Sequence, residues 1–402
     1  MIWGLLVAGS PVLSTIAEKL QGHTGSPRRL IHDIKRLSRH LNSDRLKDDL
    51  LEEVALLLSS AHLVRDDGRG VVVACDHGDI AKPFARPDAP SGRGMQFATR
   101  HHDGSSKDGA TVMGYELVQI EATLPDGSRV PLASSPFTTA TPGYLGRIHE
   151  MVSAIRKVAP RVGPAAWWVF DRGFDSKAFF ASLDDQGLAN WIVRLKIGKG
   201  DPDVKETRHV IDSTGNIVGI YGFVHAIAQR HTARVTKPGR RPMEFACGMR
   251  SCWIQDGDHD GKRVGAERTV VTFRTRGREP VTLLVSRRIS AAEIEQVVVA
   301  YLRRWPVEEA ARRMKESRGW GLRMEDLRVL KYRGIQRLLL LGRLVSVFVA
   351  QIATKDPELL RVAVAIREGT PVDILYRLFR SVSRALERVG PPPRWATHGS
   401  RR

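Results

Sequence analysis

An α/β fold built on a mixed sheet is predicted by three observations. Short β-branched or aromatic runs, Val71-Val72-Val73 and Trp167-Trp168-Val169-Phe170, read as strands. Segments with helical spacing lie before, between and after them. Their order, strands first and then helix, strand, helix, strand, describes a mixed sheet with helices packed on it.

Residues 10 to 60 read as three helices, Pro11 to Leu20, Pro27 to Leu41 and Ser43 to Leu58, separated by Gly22-His23-Thr24-Gly25 and by Asn42. The middle one carries Arg28, Arg29, Lys35, Arg36 and Arg39, enough positive charge to lie against DNA, though a solvated basic face explains the same residues. The turn Asp66-Asp67-Gly68 opens the sheet region. Gly114 to Thr123 alternates as a half-buried strand, Pro142 to Val158 has helical spacing, and Trp167 to Phe170 is a short buried strand. A helix from Ser176 to Gln186 and a strand from Trp191 to Leu195 follow. Residues 200 to 285 lack long helical periodicity but hold two strand-like runs, Arg268 to Arg274 and Val281 to Ser286, and read as a β-rich insertion. Helices resume at Ala291 to Arg303, around Pro306 to Lys315, at Asp326 to Ala353 and at Pro371 to Val389. The expected organisation is a helical module over 1–65, a catalytic sheet domain over 66–350 with the insertion at about 200–285, and a helical C-terminal segment with a frayed tail over 351–402.

Lys and Arg number 63 against 44 Asp and Glu, a net charge of +19, which favours a polyanionic partner. Nucleic acid comes before an acidic membrane surface, because the excess is spread along the chain as needed for many phosphate contacts. Three cysteines, Cys75, Cys247 and Cys252, are too few for a disulfide framework and suit a reducing cytoplasm. The apolar start, Met1 to Gly9, lacks a basic n-region and runs into Ser10-Pro11, and no apolar run reaches membrane-spanning length, so no signal peptide or membrane span is expected.

Two carboxylates stand at ends of strand-like runs: Asp76 after Val71 to Cys75, and Asp171 after Trp167 to Phe170 and before Arg172-Gly173-Phe174. Each alone reads as a turn former or cap; two in the same setting suggest groups held toward a cleft by a rigid sheet. A third element is Tyr301-x2-Arg304-x3-Glu308-x6-Lys315. On one continuous helix the four would fall within about a 60° arc, where a phenol, guanidinium, carboxylate and ammonium could bind one metal and several phosphate oxygens. Taken alone, the stripe is explained as well by a solvated, ion-paired face. Pro306 also predicts a kink or a new first turn, which makes the placing of Tyr301 and Arg304 less secure than that of Glu308 and Lys315.

Together these residues resemble the bacterial insertion-sequence DDE transposases that carry a Tyr-Arg-Glu-Lys signature, over about Val71 to Ala350. The resemblance implies a ribonuclease-H-like core in which Asp76, Asp171 and Glu308 are the catalytic, metal-holding carboxylates. Tyr301, Arg304 and Lys315 inherit contacts to DNA phosphates. It implies two Mg2+ ions, with Mn2+ as a substitute, cutting and rejoining DNA by two-metal phosphodiester chemistry. The partners implied are double-stranded DNA, as terminal inverted repeats and target, and a second copy of the chain, since two ends must be brought together. Such a protein would work in the bacterial cytoplasm, at the nucleoid when bound to DNA. The spacings of 95 and 137 residues between the carboxylates suit family members with a β-rich insertion before the third. Two other readings use the same residues: a metal-dependent nuclease without strand transfer, and a transposase-derived DNA-binding protein that no longer cleaves. Trp305 reads as a packed core residue more readily than as a base-stacking one.

Asp256-Gly257-Asp258-His259-Asp260-Gly261 with Glu267 matches the spacing of a calcium loop. Its flanks read as strands and Arg263 stands where such a loop points an apolar residue inward, so an acidic hairpin loop is expected. Cys247 and Cys252 lack a second ligand pair at zinc spacing, and no Gly-rich phosphate loop ending in Gly-Lys-Ser/Thr is present.

Overall fold

The computed structural model describes residues 2–8, 10–24, 29–61, 63, 65–82, 85, 94–102, 110–197, 208–236, 242–255, 263–274, 280–304, 307 and 324–355. The chain forms two units: Leu63–Asp76 with Ile155–Pro306, and Met1–His62 with His77–Ala154 and Val307–Arg402. Strand β1 (Val72–Ala81) begins in the former and ends in the latter.

In the unit holding Leu63–Asp76, three parallel strands lie side by side: the start of β1, β5 (Trp167–Phe170) and β6 (Trp191–Arg194). Val71 to Cys75 and all of β5 are buried, as strands covered on both faces must be. Parallel neighbours need a crossover, and helix α6 (Lys177–Asp185) provides it, its first turn capped by Ser176 Oγ accepting the Phe179 N–H at 3.3 Å. Beyond β6 the sheet turns antiparallel. β12 (Val281–Val285) pairs with β6, then β11 (Arg263–Arg274), β10 (Met243–Gln255), β7 (His209–Asp212) and β8 (Ile217–Gly219) follow, and β9 (His231–Val235) also pairs with β10. The predicted strand-like runs therefore extend one sheet, and β7 to β10 add strands that their mixed composition concealed. Helix α7 (Ile220–His225) lies between β8 and β9, and helix α8 (Ile294–Leu302) packs against β9 and β5. Val72, Trp167, Val169, Val271, Phe273, Leu283, Val297 and Tyr301 belong to one core there.

In the other unit, the end of β1 pairs with β3 (Thr111–Thr123), and β3 also pairs with β2 (Thr99–His102) and β4 (Arg129–Phe137). Gly114 is required at the crossing with β1: its φ is +156°, and a Cβ there would meet the Ile80 carbonyl oxygen at 2.1 Å. Helices α1 (Ile2–Ala8), α2 (Leu13–Thr24) and α3 (Leu30–Leu41) share a core with β1, β3 and the long helix α9 (Tyr332–Lys355), while α4 (Asp48–Ser60) packs against β4 and α9. Helix α5 (Arg147–Val158) follows β4 in the chain.

The mixed α/β sheet with flanking helices expected from the sequence is the one observed. Several element bounds differ from those expected, among them α2, which runs on to Thr24, α4, which starts at Asp48 and not Ser43, and α5, which starts at Arg147 and not Pro142. Helix α9 starts at Tyr332, not Asp326, because Met324–Asp326 form a separate 3-10 turn and 327–331 are neither helix nor strand, with Leu330 O accepting the Gln96 N–H at 2.8 Å. Strand β1 does not stop at Cys75; it continues through Asp76 to Ala81, where its hydrogen bonds go to β3. The segments around Pro306–Lys315 and Pro371–Val389 lie outside the described residues, as do 356–402. Among the described residues, no helix is long and apolar enough to cross a membrane.

Candidate active site

The register of β1 on β5 decides where the first two carboxylates sit. Cys75 is the last registered partner, opposite Phe170, so the next residue on each parallel strand is Asp76 on one and Asp171 on the other. Both carboxylates therefore follow directly on the last registered pair, Asp76 within β1 and Asp171 just past the end of β5. Asp76 is not at the end of its own strand. It is at the end of its neighbour, where β5 stops and the burial of β1 loosens from buried to half-buried. That is where a mid-strand residue becomes only half-buried.

Asp171 leaves β5 with extended backbone, φ −81° and ψ −179°, and caps a 3-10 turn, Arg172–Phe174. Its Oδ1 accepts the Gly173 N–H at 2.7 Å. A Cβ at position 173 would sit 2.9 Å from that oxygen, and Phe174, 1% exposed, anchors the turn against Phe170 and Phe179. Each residue of Asp-Arg-Gly-Phe except the exposed Arg172 thus has a local task in holding the carboxylate. Behind Asp76, Cys75 is fully buried, and burial followed by the charge of Asp76 pushes its thiol well above the ordinary range, so it is an inert packing group.

Arg304 supplies the positive charge. Its guanidinium donates to Asp76 Oδ2 at 3.3 Å, and the two side chains are 10% and 22% exposed. The adjoining Arg303 donates to Gly70 O at 3.2 Å, tying the same turn to the residues before β1. Two carboxylates on adjacent strands fit the oxygen-donor chemistry of a hard divalent cation. Among the described residues no group of three His, Cys, Asp or Glu side chains is placed to hold a metal. The third expected carboxylate, Glu308, lies outside them, as do Trp305 and Lys315.

No protein-family model matches the chain, and no curated protein matches it. Among solved structures, it is similar to a piggyBac transposase in a synaptic complex with hairpin DNA, with a TM-score of 0.37 and 10% identity, covering 82% of this chain. The chain spans 56% of that protein's length.

Of the four-residue pattern, the described residues hold Tyr301 and Arg304, and the break expected before Pro306 falls between them. Helix α8 ends at Leu302, and Arg303 and Arg304 form a turn, closed by the Arg304 N–H donating to Tyr301 O at 3.0 Å. A proline at 306 has no N–H to donate to the Leu302 carbonyl and disfavours helical backbone in the residue before it, in agreement with α8 ending at Leu302. Tyr301 consequently faces the core, 7% exposed, edge-on to Phe273 at 6.0 Å between ring centroids. The ion pair of Arg304 with Asp76 is a role that the sequence reading missed; 228 residues separate the partners and no local pattern signals it.

The motifs set aside are placed as follows. Residues 256–262 lie outside the described residues, and strands β10 and β11 flank them as an antiparallel pair. Cys247 and Cys252 are five residues apart on β10, hence on opposite faces, with both thiols pushed up by burial, Cys252 to about 12.

Proposed function

We propose that this chain is a DDE transposase that cuts DNA at the ends of a mobile element and joins the freed 3′-hydroxyls to target DNA. The observation that carries the reading is that Asp76 and Asp171 each follow the last registered pair of the parallel strands β1 and β5, with Arg304 on the Asp76 carboxylate. Asp76, Asp171 and Glu308 would hold two Mg2+ ions, with Mn2+ as a substitute; such ions, when bound, polarise the phosphodiester and lower the pKa of the attacking water or hydroxyl. The carboxylates on the sheet contribute rigidity, since a side chain near a strand end moves little when DNA arrives. Arg304 and Lys315 supply charge for phosphate oxygens, and the net charge of +19 supplies long-range attraction to the duplex. Tyr301 supports the turn from beneath through its packing on Phe273. The basic face of α3, with Lys35, Arg36 and Arg39, is the proposed contact to the terminal repeats, and two copies would pair two ends.

Incubation of the full chain with DNA carrying the element's own terminal inverted repeats and Mg2+ tests this. Wild type should nick at the repeat boundary, whereas Asp171→Asn and Glu308→Ala should bind the same DNA and leave it intact. Full cleavage by Asp76→Ala would remove the site assignment. Supplying pre-cut ends separates a transposase, which joins them to target, from a nuclease, which does not. Specific binding with no cleavage by any form would favour a DNA-binding descendant.

A further inference from the structure

Asp76 is half-buried, negatively charged and on the strand next to the one that leads into a second carboxylate, Asp171, so it needs a cation near it. The structure provides Arg304 at 3.3 Å from Asp76 Oδ2. That is longer than the 2.7–2.9 Å of a tight charge-assisted bond. A guanidinium and a hard divalent ion draw on the same carboxylate lone pairs, and both bring positive charge to one small volume. Arg304 also stands two residues beyond the end of α8, in a turn, so that a change in its position does not require a helix to unwind.

We propose that Arg304 is a displaceable stand-in for the divalent cation: it neutralises Asp76 while no cation is bound, and cation binding drives it off, releasing the guanidinium to a DNA phosphate. The inference rests on the metal-site reading above and adds an order of events to it. Cation and phosphate then become coupled ligands, each strengthening the other by the same factor, because each favours the state in which Arg304 has left Asp76.

Two measurements on the full chain test this without DNA cleavage. Mn2+ binding is followed by electron paramagnetic resonance, and Arg304 accessibility by phenylglyoxal modification read by mass spectrometry. Without Mn2+, Arg304 should react slowly; at saturating Mn2+ its rate should rise about tenfold. Arg304→Gln should bind Mn2+ about tenfold more tightly than wild type. Arg303→Gln removes the same charge one residue away, and should change affinity by less than about twofold if direct competition, not general charge, is responsible. If wild type binds Mn2+, Asp76→Asn does not, and Arg304 stays protected throughout, then guanidinium and cation share the carboxylate and the displacement is wrong while the metal site stands. If wild type binds no Mn2+, the metal site and the displacement fall together.

Discussion

Glu293 shows how much one carboxylate can do at the start of an element. It closes a capping box with Ser290, accepting the Ser290 N–H at 2.8 Å, and pairs with Arg287 at 2.7 Å. The Arg287 bond and then the Ser290 N–H hold its carboxyl down at about 2, from an ordinary 4.5. Because the folded value is depressed, its contribution is fully present above pH 4.5 and is lost as pH falls toward 2. Glu293→Gln should cost about 1 kcal/mol at pH 7, and thermal melts of the two proteins should converge as pH is lowered through that window. A gap that stayed constant from neutral pH to pH 3 would count against the assignment. The sequence carries this box openly in Ser290-Ala-Ala-Glu293, as it carries the Asp-Arg-Gly-Phe turn, because both act within four residues. Arg304 on Asp76 is different in kind: it is a tertiary contact.

At the scale of elements, the join between the parallel strands and the added antiparallel ones rests on β6 and β12, reinforced by Arg268 of β11. That guanidinium is 3% exposed, lies over Trp191 at 4.5 Å from the ring centroid, and donates to Asp184 of α6 at 2.5 Å and to Ser286 O at 3.2 Å. Removing one partner leaves a buried charge short of acceptors, whereas removing both removes the demand. Asp184→Ala should therefore lose about 2 kcal/mol, and Asp184→Ala with Arg268→Met should recover most of it. Urea unfolding of the single and double variants measures this. Equal losses in both would mean that the pair contributes only packing. The strands of this region whose runs are apolar, Val281 to Val285 and Arg268 to Arg274, were legible in advance. β7, β9 and most of β10 were not, since their alternation is broken by Arg, His and Gly, and pairing with neighbours is what holds them extended.

For the molecule as a whole, the N-terminal helices belong to the same unit as β3, β4 and α9, and the first three share a core with β3 and α9. Arg337 of α9, 2% exposed, gathers the carbonyls of Leu41, Ser43 and Leu46 at 2.6–2.8 Å and pairs with Asp48, closing the end of α3 and the start of α4. Arg337→Met would leave those acceptors buried without a donor and should cost about 3 kcal/mol, read as a lower urea midpoint for the unit that holds α9. No change in midpoint would show that water takes over the carbonyls. Arg343, also buried on α9, donates to Leu132 O at 2.8 Å, and burial brings its guanidinium down to about 10. Arg343 interrupts the apolar run Leu338 to Ala350 in the sequence, and its partner there is a carbonyl of β4.

Local patterning was enough for the class of fold, the strands that carry Asp76 and Asp171, the crossover helix and the halt of helix α8 near Pro306. These follow from periodicity, capping and proline chemistry, which act over a few residues. Tertiary structure decided that β1 runs on past Asp76 and that its burial loosens where β5 ends. It also decided that Tyr301 packs inward and that Arg304 reaches Asp76 across 228 positions of chain. Which strand ends beside which carboxylate depends on register, and register is settled by how the whole sheet buries its apolar faces.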